Sequence, residues 1–150
     1  TQAKVRKSIF DILGPLDGYK VLDLYSGVGS LGLEALSRGA CHLTAVESDS
    51  RVFKILVKNI NIITNQNKVK LHRMDVSKFL EMNVNKYDVI FADPPYNELN
   101  FFDIKKSISN FLNENGIFCM EMKKTKDIIF DEDIRIKKYG STQVAIWKKK

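Results

Sequence analysis

Three glycines after a short apolar run could bring the backbone close to a nucleoside cofactor. Gly27, Gly29 and Gly32 fit the pattern G-x-G-x-x-G within the stretch DLYSGVGSLGLEALSRG. Glycine permits a tight turn and a close approach of the backbone to a ligand. Because the same turn serves several nucleoside cofactors, this pattern alone leaves the identity of the cofactor open.

A row of carboxylates narrows the choice of cofactor. Four successive predicted strands each carry an acidic residue within or just after them: Asp23, Glu47, Asp75 and Asp93. In a parallel sheet these positions meet at one edge, where ligands bind. One carboxylate about 8 Å from a unit anion repels it by roughly 2 kcal/mol at an effective dielectric constant of 20. The acidic edge therefore disfavours a pyrophosphate and favours S-adenosylmethionine, which carries positive charge and whose ribose hydroxyls would bind Glu47.

A second motif, Asp93-Pro94-Pro95-Tyr96, directly follows the fourth predicted strand. Consecutive prolines stiffen the backbone and cannot donate hydrogen bonds. A stiff loop with a carboxylate, an outward carbonyl and an aromatic ring could hold a flat base that bears an amino group. Asp93 and the Pro94 carbonyl would accept hydrogen bonds from the –NH2 group, and Tyr96 would stack on the ring.

The elements that must position these motifs alternate along the chain. Short apolar runs predict the strands, and apolar residues at helical spacing predict the helices. The strands are 21–25, 43–46, 69–72, 89–92 and 116–122, followed by a hairpin of 134–139 and 143–147; the helices are 3–13, 31–38, 52–63 and 101–112. This alternation predicts an α/β fold over residues 1–150 as one domain, with a mostly parallel, doubly wound sheet that ends in an antiparallel C-terminal hairpin.

The composition excludes several classes of protein. The 150 residues are 44% hydrophobic and 28% charged, which is typical of a soluble globular domain. No apolar run approaches the roughly 20 residues of a membrane helix, so we expect a cytoplasmic protein without a membrane partner. Cys41 and Cys119 lie in apolar, strand-like contexts and are expected to be reduced core thiols. His42 and His72 are too scattered for a metal cluster, so no metal is expected.

The charge makes nucleic acid a candidate partner. Lys and Arg number 24 against 18 Asp and Glu, a formal net charge of +6. A basic excess attracts phosphate backbones, although many basic proteins bind no nucleic acid. Lys123, Lys124 and Lys126, beyond the fifth predicted strand, are candidate contacts.

Together these motifs resemble the RsmD family. DPPY is similar to the signature of amino-group methyltransferases, which carry Asp or Asn, then Pro-Pro, then an aromatic residue. The segments VLDLYSGVGSLGLEALSRGA and AVESD and the opening T-x-x-x-V-R-x-x-I-F-x-x-L are similar to the same family. Its members are bacterial enzymes that methylate the N2 amine of a guanine in 16S ribosomal RNA. The resemblance spans about residues 1–122 and is weaker in the tail.

The resemblance implies a Rossmann-like class I fold that binds S-adenosylmethionine. It implies a role for each residue of the acidic edge and the glycine turn. The methionine part of the cofactor would contact Asp23, Ser26, Gly27 and Gly29. Glu47 would bind the ribose hydroxyls, and Asp75 would bind the adenine amino group.

The resemblance also implies a target site and a partner. Asp93, Pro94 and Tyr96 would hold the guanine of small-subunit ribosomal RNA, free or within an assembling 30S particle, and the protein would act as a monomer. Arg6 occupies the place of a family arginine, but Lys7 follows where the family has Glu. Family members carry further residues before this helix, so we expect an N-terminal segment, and with it part of the RNA docking surface, to be missing.

Three other functions remain open. A DNA adenine-N6 methyltransferase uses the same motif but adds a target-recognition region, for which 150 residues leave little room. A glutamine-N5 protein methyltransferase would carry Asn where this chain has Asp93. The third is an inactive nucleic-acid-binding module with a Rossmann-like core, against which the intact Gly27, Gly29, Glu47 and Asp93 argue.

Overall fold

Seven strands form one sheet within the residues that this computed structural model describes, which are 2–63, 66–95, 100–124, 130 and 133–150. The strands are β1 (Lys20–Leu24), β2 (His42–Glu47), β3 (Val69–Arg73), β4 (Tyr87–Ala92), β5 (Leu112–Lys123), β6 (Ile134–Tyr139) and β7 (Thr142–Lys148). Their order across the sheet is β3–β2–β1–β4–β5–β7–β6. Strands β1 to β5 are parallel, and β7 is antiparallel to both β5 and β6. The predicted Rossmann-like sheet with a C-terminal antiparallel hairpin is therefore confirmed.

Helices cover both faces of this sheet. The described helices are α1 (Ala3–Leu13), α2 (Ser30–Ser37), α3 (Ser50–Ile63), α4 (Val76–Met82) and α5 (Phe101–Ile108). Helices α1, α2 and α3 share one buried apolar cluster with the sheet, and α4 and α5 share the other. None of the described helices has the length and apolar composition that crossing a bilayer would require.

The two clusters follow from the two-residue period of the central strands. Val21 of β1 and Val89 of β4 belong to one cluster, whereas their neighbours Leu22 and Ile90 belong to the other. Successive side chains of a strand point to opposite faces, so an uninterrupted apolar run serves a strand that is covered on both sides. All four residues are fully buried.

Three elements, α4, α5 and β5, differ from the sequence prediction. Helix α4 was not predicted, because its seven residues give too short a stretch for helical periodicity. Helix α5 ends at Ile108 instead of continuing to residue 112, and β5 begins at Leu112 instead of Gly116. Leu112 pairs with Tyr87, and the register then shifts before Ile117 pairs with Val89. Leu112, the last apolar residue of the predicted helix, therefore belongs to the sheet.

The strand register places the ends of three parallel strands at the same level. Leu24 of β1 pairs with Val46 of β2 on one side and with Ala92 of β4 on the other. Glu47 and Asp93, the next residues of those strands, are therefore level with each other. Because the chain leaves β1 for β2 on one side and returns to β4 on the other, this edge is the topological switch point at which ligands of such sheets bind.

Candidate active site

A cavity of about 870 Å³ opens at this edge, and most of the predicted site residues line it. Six of them contribute to its wall: Asp23, Ser26, Gly27, Glu47, Asp75 and Asp93. Gly29 and Pro94 are described residues that do not line the cavity, and Tyr96 lies outside the described residues. Pro95, next to Pro94, does line it, so the cavity extends from the glycine turn to the loop that follows β4.

The carboxylate of Glu47 holds the glycine turn against β2. Its Oε1 accepts a hydrogen bond from the backbone N–H of Gly27 at 2.8 Å, and its Oε2 accepts one from the N–H of Asp49 at 2.9 Å. The backbone N–H of Ser26 also donates to the carbonyl of Val46 at 2.9 Å. Each carboxylate oxygen has two acceptor positions, so Glu47 retains capacity for ligand hydroxyls while it fixes the turn.

Gly29 shapes the turn by allowing close packing. Its φ is 94°, in the left-handed region, and a Cβ placed on it would lie 2.6 Å from Cδ1 of Leu56 on α3. Gly27 has a φ of 60°, and nothing lies within 4 Å of a Cβ placed there. Gly27 therefore faces the cavity, whereas Gly29 lets α3 approach the turn from behind. Gly29 was predicted as a cofactor contact, and this geometry gives it a packing role.

Asp23 is a carboxylate buried beneath the cavity. Only 1% of its surface is exposed, and the hydroxyl of Ser26 donates to its Oδ2 at 3.0 Å. Burial raises its pKa from 3.8 to about 7, and the nearby carboxylates of Asp93 and Glu47 also raise it. A cation bound in the cavity would replace the missing solvation and favour the charged form. Asp23 is therefore suited to bind an ammonium or sulfonium group.

Asp75 lines the cavity where β3 leads into α4, next to apolar residues in the chain. It is the N-cap residue of α4, and its side chain makes no capping hydrogen bond to that helix. Met74 and Val76 on either side of it also line the cavity, as does Val52 of α3. Apolar lining residues beside an exposed carboxylate could accept a flat heterocycle that carries an amino group.

Sequence similarity shows which family this chain belongs to. The family model described as conserved hypothetical protein 95 matches residues 1–148. The chain belongs to this family, the RsmD family. The ribosomal RNA small subunit methyltransferase D of Haemophilus influenzae is 30% identical, with 99% of this chain and 80% of that protein covered. The YlbH protein of Bacillus subtilis is 32% identical, with 100% of this chain and 87% of that protein covered.

A solved structure of similar fold contains a ligand. An RNA methyltransferase from Salinibacter ruber, solved in complex with S-adenosyl-L-homocysteine, matches this chain with a TM-score of 0.76. The two are 17% identical over 99% of this chain and 92% of that one, so the match concerns the fold. The Rossmann-like fold is thus shared with a solved structure of only 17% sequence identity.

Tyr25 is a cavity residue of this RsmD-family chain that sequence reasoning missed. It was assigned to the first strand, but β1 ends at Leu24, and Tyr25 adopts a φ of 57°. A left-handed conformation costs an L-residue about 1–2 kcal/mol, and such strain concentrates at functional sites. Tyr25 lines the cavity between Asp23 and Ser26, and burial raises the pKa of its hydroxyl. No local pattern distinguishes this tyrosine from an ordinary aromatic strand residue.

The two cysteines have different environments. Cys119 is buried, as predicted, and burial raises the pKa of its thiol well above the ordinary range. Cys41 is exposed, so its predicted core position is wrong: it precedes β2, and its Sγ donates to the carbonyl of Gly18 at 3.2 Å. Among the described residues, no group of His, Cys and acidic side chains is arranged to hold a metal ion.

Proposed function

We propose that this chain transfers a methyl group from S-adenosylmethionine to the exocyclic N2 amine of a guanine in small-subunit ribosomal RNA. The observation that carries the proposal is the continuity of one cavity from the buried Asp23 to Asp93 at the end of β4. A cofactor site and an amine-binding loop thereby share one space. Membership of the RsmD family, with relatives named as ribosomal RNA methyltransferases, supports the choice of substrate.

The residues of the cavity fit S-adenosylmethionine. Asp23 would bind the ammonium group of its methionine part, and Glu47 would accept hydrogen bonds from the ribose hydroxyls. Asp75 would accept from the adenine amino group, with Met74 and Val76 against the ring. The volume of about 870 Å³ lies within the roughly 300–1,000 Å³ range of sites for ligands of this size. S-adenosylhomocysteine in the Salinibacter ruber structure supports the same choice.

The glycine turn argues against a dinucleotide. In dinucleotide sites, backbone N–H groups of this turn and the following helix bind the pyrophosphate. Here the N–H of Gly27 already donates to the carboxylate of Glu47 at 2.8 Å. A phosphate at that place would compete with an internal acceptor and meet its negative charge. The chain therefore uses the same glycine spacing for a cofactor without phosphate.

Asp93 and Pro94 would prepare the amine for attack. The lone pair of an exocyclic amine is delocalised into its ring, which makes the nitrogen a poor nucleophile. Hydrogen bonds from its N–H groups to the Asp93 carboxylate and the Pro94 carbonyl would hold the nitrogen with its lone pair toward the cofactor. As the nitrogen gains positive charge, Asp93 would stabilise that charge and receive the departing proton. The cofactor, when bound, supplies an electrophilic methyl group.

The target base must reach this loop unpaired. A guanine in a helix would leave its stack, and a guanine in a loop would enter directly. Tyr96, which lies outside the described residues, would stack on the base, as the motif predicts.

Nucleoside mass spectrometry tests the proposal. The protein would be incubated with isotopically labelled S-adenosylmethionine and either naked small-subunit RNA, assembled 30S particles or DNA. Labelled N2-methylguanosine in RNA is the expected product. N6-methyladenine in DNA would favour the adenine methyltransferase instead, and cofactor binding without any labelled nucleoside would favour the inactive module. Calorimetry with NAD provides a second check, because tight NAD binding would contradict the assignment of the cavity.

A further inference from the structure

Four exposed lysines lie at the end of β5 and in the neighbouring C-terminal hairpin. We call them the hairpin lysines: Lys123, Lys124, Lys137 and Lys138. The backbone N–H of Lys124 donates to the carbonyl of Ser141 in the hairpin turn at 2.8 Å, which fixes the end of β5 against the hairpin. Because β4 and β5 are parallel, this end of β5 lies at the same edge of the sheet as Asp93.

The register places the hairpin lysines level with the loop that would hold the base. The last paired residue of β4 lies opposite Met120, so Asp93, which follows it, is level with Glu121. Glu121 pairs with Val144 of β7, and Val144 pairs with Lys137 of β6. Neighbouring strands are about 4.8 Å apart, so three spacings separate Asp93 from Lys137 by roughly 14 Å.

No described residue of β5, β6 or β7 lines the cavity. Its wall comes from residues at the ends of β1, β2 and β3 and from the start of the loop after β4. A cofactor would fill the sheet edge on the β3 side of Asp93. On the proposed function, the RNA that flanks the target base would extend over the other side, which consists of β5, β7 and β6.

We propose that the hairpin lysines bind phosphates of the RNA segment that carries the target base. This inference rests on the proposed function and adds to it the surface that docks the substrate. Ammonium groups at this distance would bind the backbone without reading its sequence, while Asp93 and Pro94 bind the base. Among the described residues at the end of β5 and around the hairpin turn, Glu121 is a single, half-buried carboxylate beside the four exposed lysines.

The chemistry of the cluster suits a phosphate chain more than a single anion. Lys137 and Lys138 are neighbours in β6, so their side chains leave opposite faces of the strand. Lys123 is the last residue of β5 and Lys124 follows it, so both lie beyond Met120, the last residue of β5 that pairs with β4. Ammonium groups spread over several ångströms and over two faces match the repeated charge of a nucleic-acid backbone.

A pair of double variants tests the inference. Lys137→Gln/Lys138→Gln removes two hairpin lysines, and Lys20→Gln/Lys86→Gln removes two exposed lysines at the opposite edge, where β1 begins and just before β4. Binding of a fluorescently labelled RNA stem–loop would be measured by anisotropy over a salt series. The hairpin variant should bind roughly ten-fold more weakly, and its log K against log salt slope should fall by about 1.4, for two phosphate contacts at about 0.7 each.

The outcomes separate this inference from the proposed function. The control variant should retain the parental slope, and Lys137→Arg/Lys138→Arg should restore it. Both Gln variants should bind S-adenosylhomocysteine like the parent, which shows that the fold is intact. If the parent methylates RNA and the hairpin variant binds RNA like the control, the hairpin lysines only protect an edge strand from pairing, and the inference is wrong. A parent that neither binds nor methylates RNA overturns the proposed function and this inference with it.

Discussion

The two halves of the site, on either side of β4, are built by different means. The cofactor half, at the ends of β1, β2 and β3, is acidic and is tied together by hydrogen bonds from backbone N–H groups to Glu47. The proposed target half, from Asp93 to the hairpin lysines, combines a proline-stiffened loop with exposed cations. A small cationic cofactor needs a fixed set of acceptors, whereas a long polyanion needs distributed charge. The difference indicates that affinity for the two ligands can be altered separately.

The largest effect is expected at Asp93, which lies between the two halves. Asp93→Asn keeps the shape of the side chain and one carbonyl acceptor but removes the charge that, on the proposed mechanism, would stabilise the developing cation. We expect kcat to fall by roughly 10–10³-fold, within or below the range of general-base catalysis because positioning survives. Cofactor affinity should change by less than about 1 kcal/mol, since other carboxylates remain. Single-turnover rates at saturating RNA and cofactor measure the effect.

A control for this variant lies on the same strand. Asp88 accepts hydrogen bonds from Lys20 and Asn113 at the opposite end of β4. Asp88→Asn makes the same chemical change away from the cavity, so its rate should match that of the parent. If Asp93→Asn is as fast as Asp88→Asn, Asp93 only orients the base.

Removal of the Glu47 carboxylate, which joins the parts of the cofactor half, should have the next largest effect. Glu47→Ala removes the proposed ribose acceptor and leaves the N–H groups of Gly27 and Asp49 without their side-chain acceptor. Binding of S-adenosylhomocysteine should weaken by roughly 1.5–3 kcal/mol, the scale of hydrogen bonds to a charged group. Calorimetry measures the affinity, and Glu34→Ala on α2 serves as a carboxylate control outside the cavity wall. A lower melting temperature with unchanged affinity would limit Glu47 to a structural role.

Two glycine substitutions compare the stability cost at Gly29, which packs against α3, with the cost at Gly27, which faces the cavity. Gly29→Ala should destabilise the fold by about 1–3 kcal/mol, because its Cβ would overlap Leu56 and its φ is left-handed. Gly27→Ala has the space for a Cβ and should lose only about 1–2 kcal/mol through its φ. Urea unfolding compares the two. Equal losses would mean that the contact with α3 relaxes at no cost.

The smallest expected effect is a pH dependence confined to the cofactor half. Asp23 must be charged to bind a cation, and its pKa in the free protein is raised to about 7. The affinity for S-adenosylmethionine should therefore fall by up to about ten-fold for each pH unit below 7. Calorimetry in buffers of different ionisation enthalpy would detect the proton that binding releases near pH 7. Affinity that is constant over this range would place the cationic group elsewhere.

The raised pKa of Asp23 also determines the direction in which the stability of the free protein changes with pH. The unfolded chain loses the Asp23 proton near 3.8, whereas the folded chain keeps it until about 7. Between these values the folded state binds more protons, so the free energy of unfolding falls as the pH rises through the window. Chemical denaturation of the parent and of Asp23→Asn would show this, because the variant should lose that part of the pH dependence.

Much of the scaffold could be predicted because it depends on local patterns. Apolar runs located the parallel strands, and the acidic residue in or after each strand located the cavity edge. Helix α4 was too short to give a periodic signal, and Leu112 was assigned to a helix because only the sheet register shows its partner, Tyr87.

The details of the site could not be predicted because they depend on tertiary contacts. The left-handed Tyr25 looks like an ordinary strand residue in sequence. The packing role of Gly29 requires Leu56, which lies on a different helix. The hydrogen bond from Gly27 to Glu47 joins residues 20 positions apart, which no short motif encodes.

That hydrogen bond has a consequence for the order in which the protein folds. It closes a segment of 20 residues, for which the loop-closure entropy is about 2.7 kcal/mol from (3/2)RT ln n. Asp23, Ser26, Gly27, Glu47 and Asp49 all belong to the single β1–α2–β2 unit and the turn that follows it. Asp93 joins them only after β4 has paired with β1, at a sequence separation more than three times as long. Because contacts of short separation form faster, we expect the cofactor half to assemble before the target half exists.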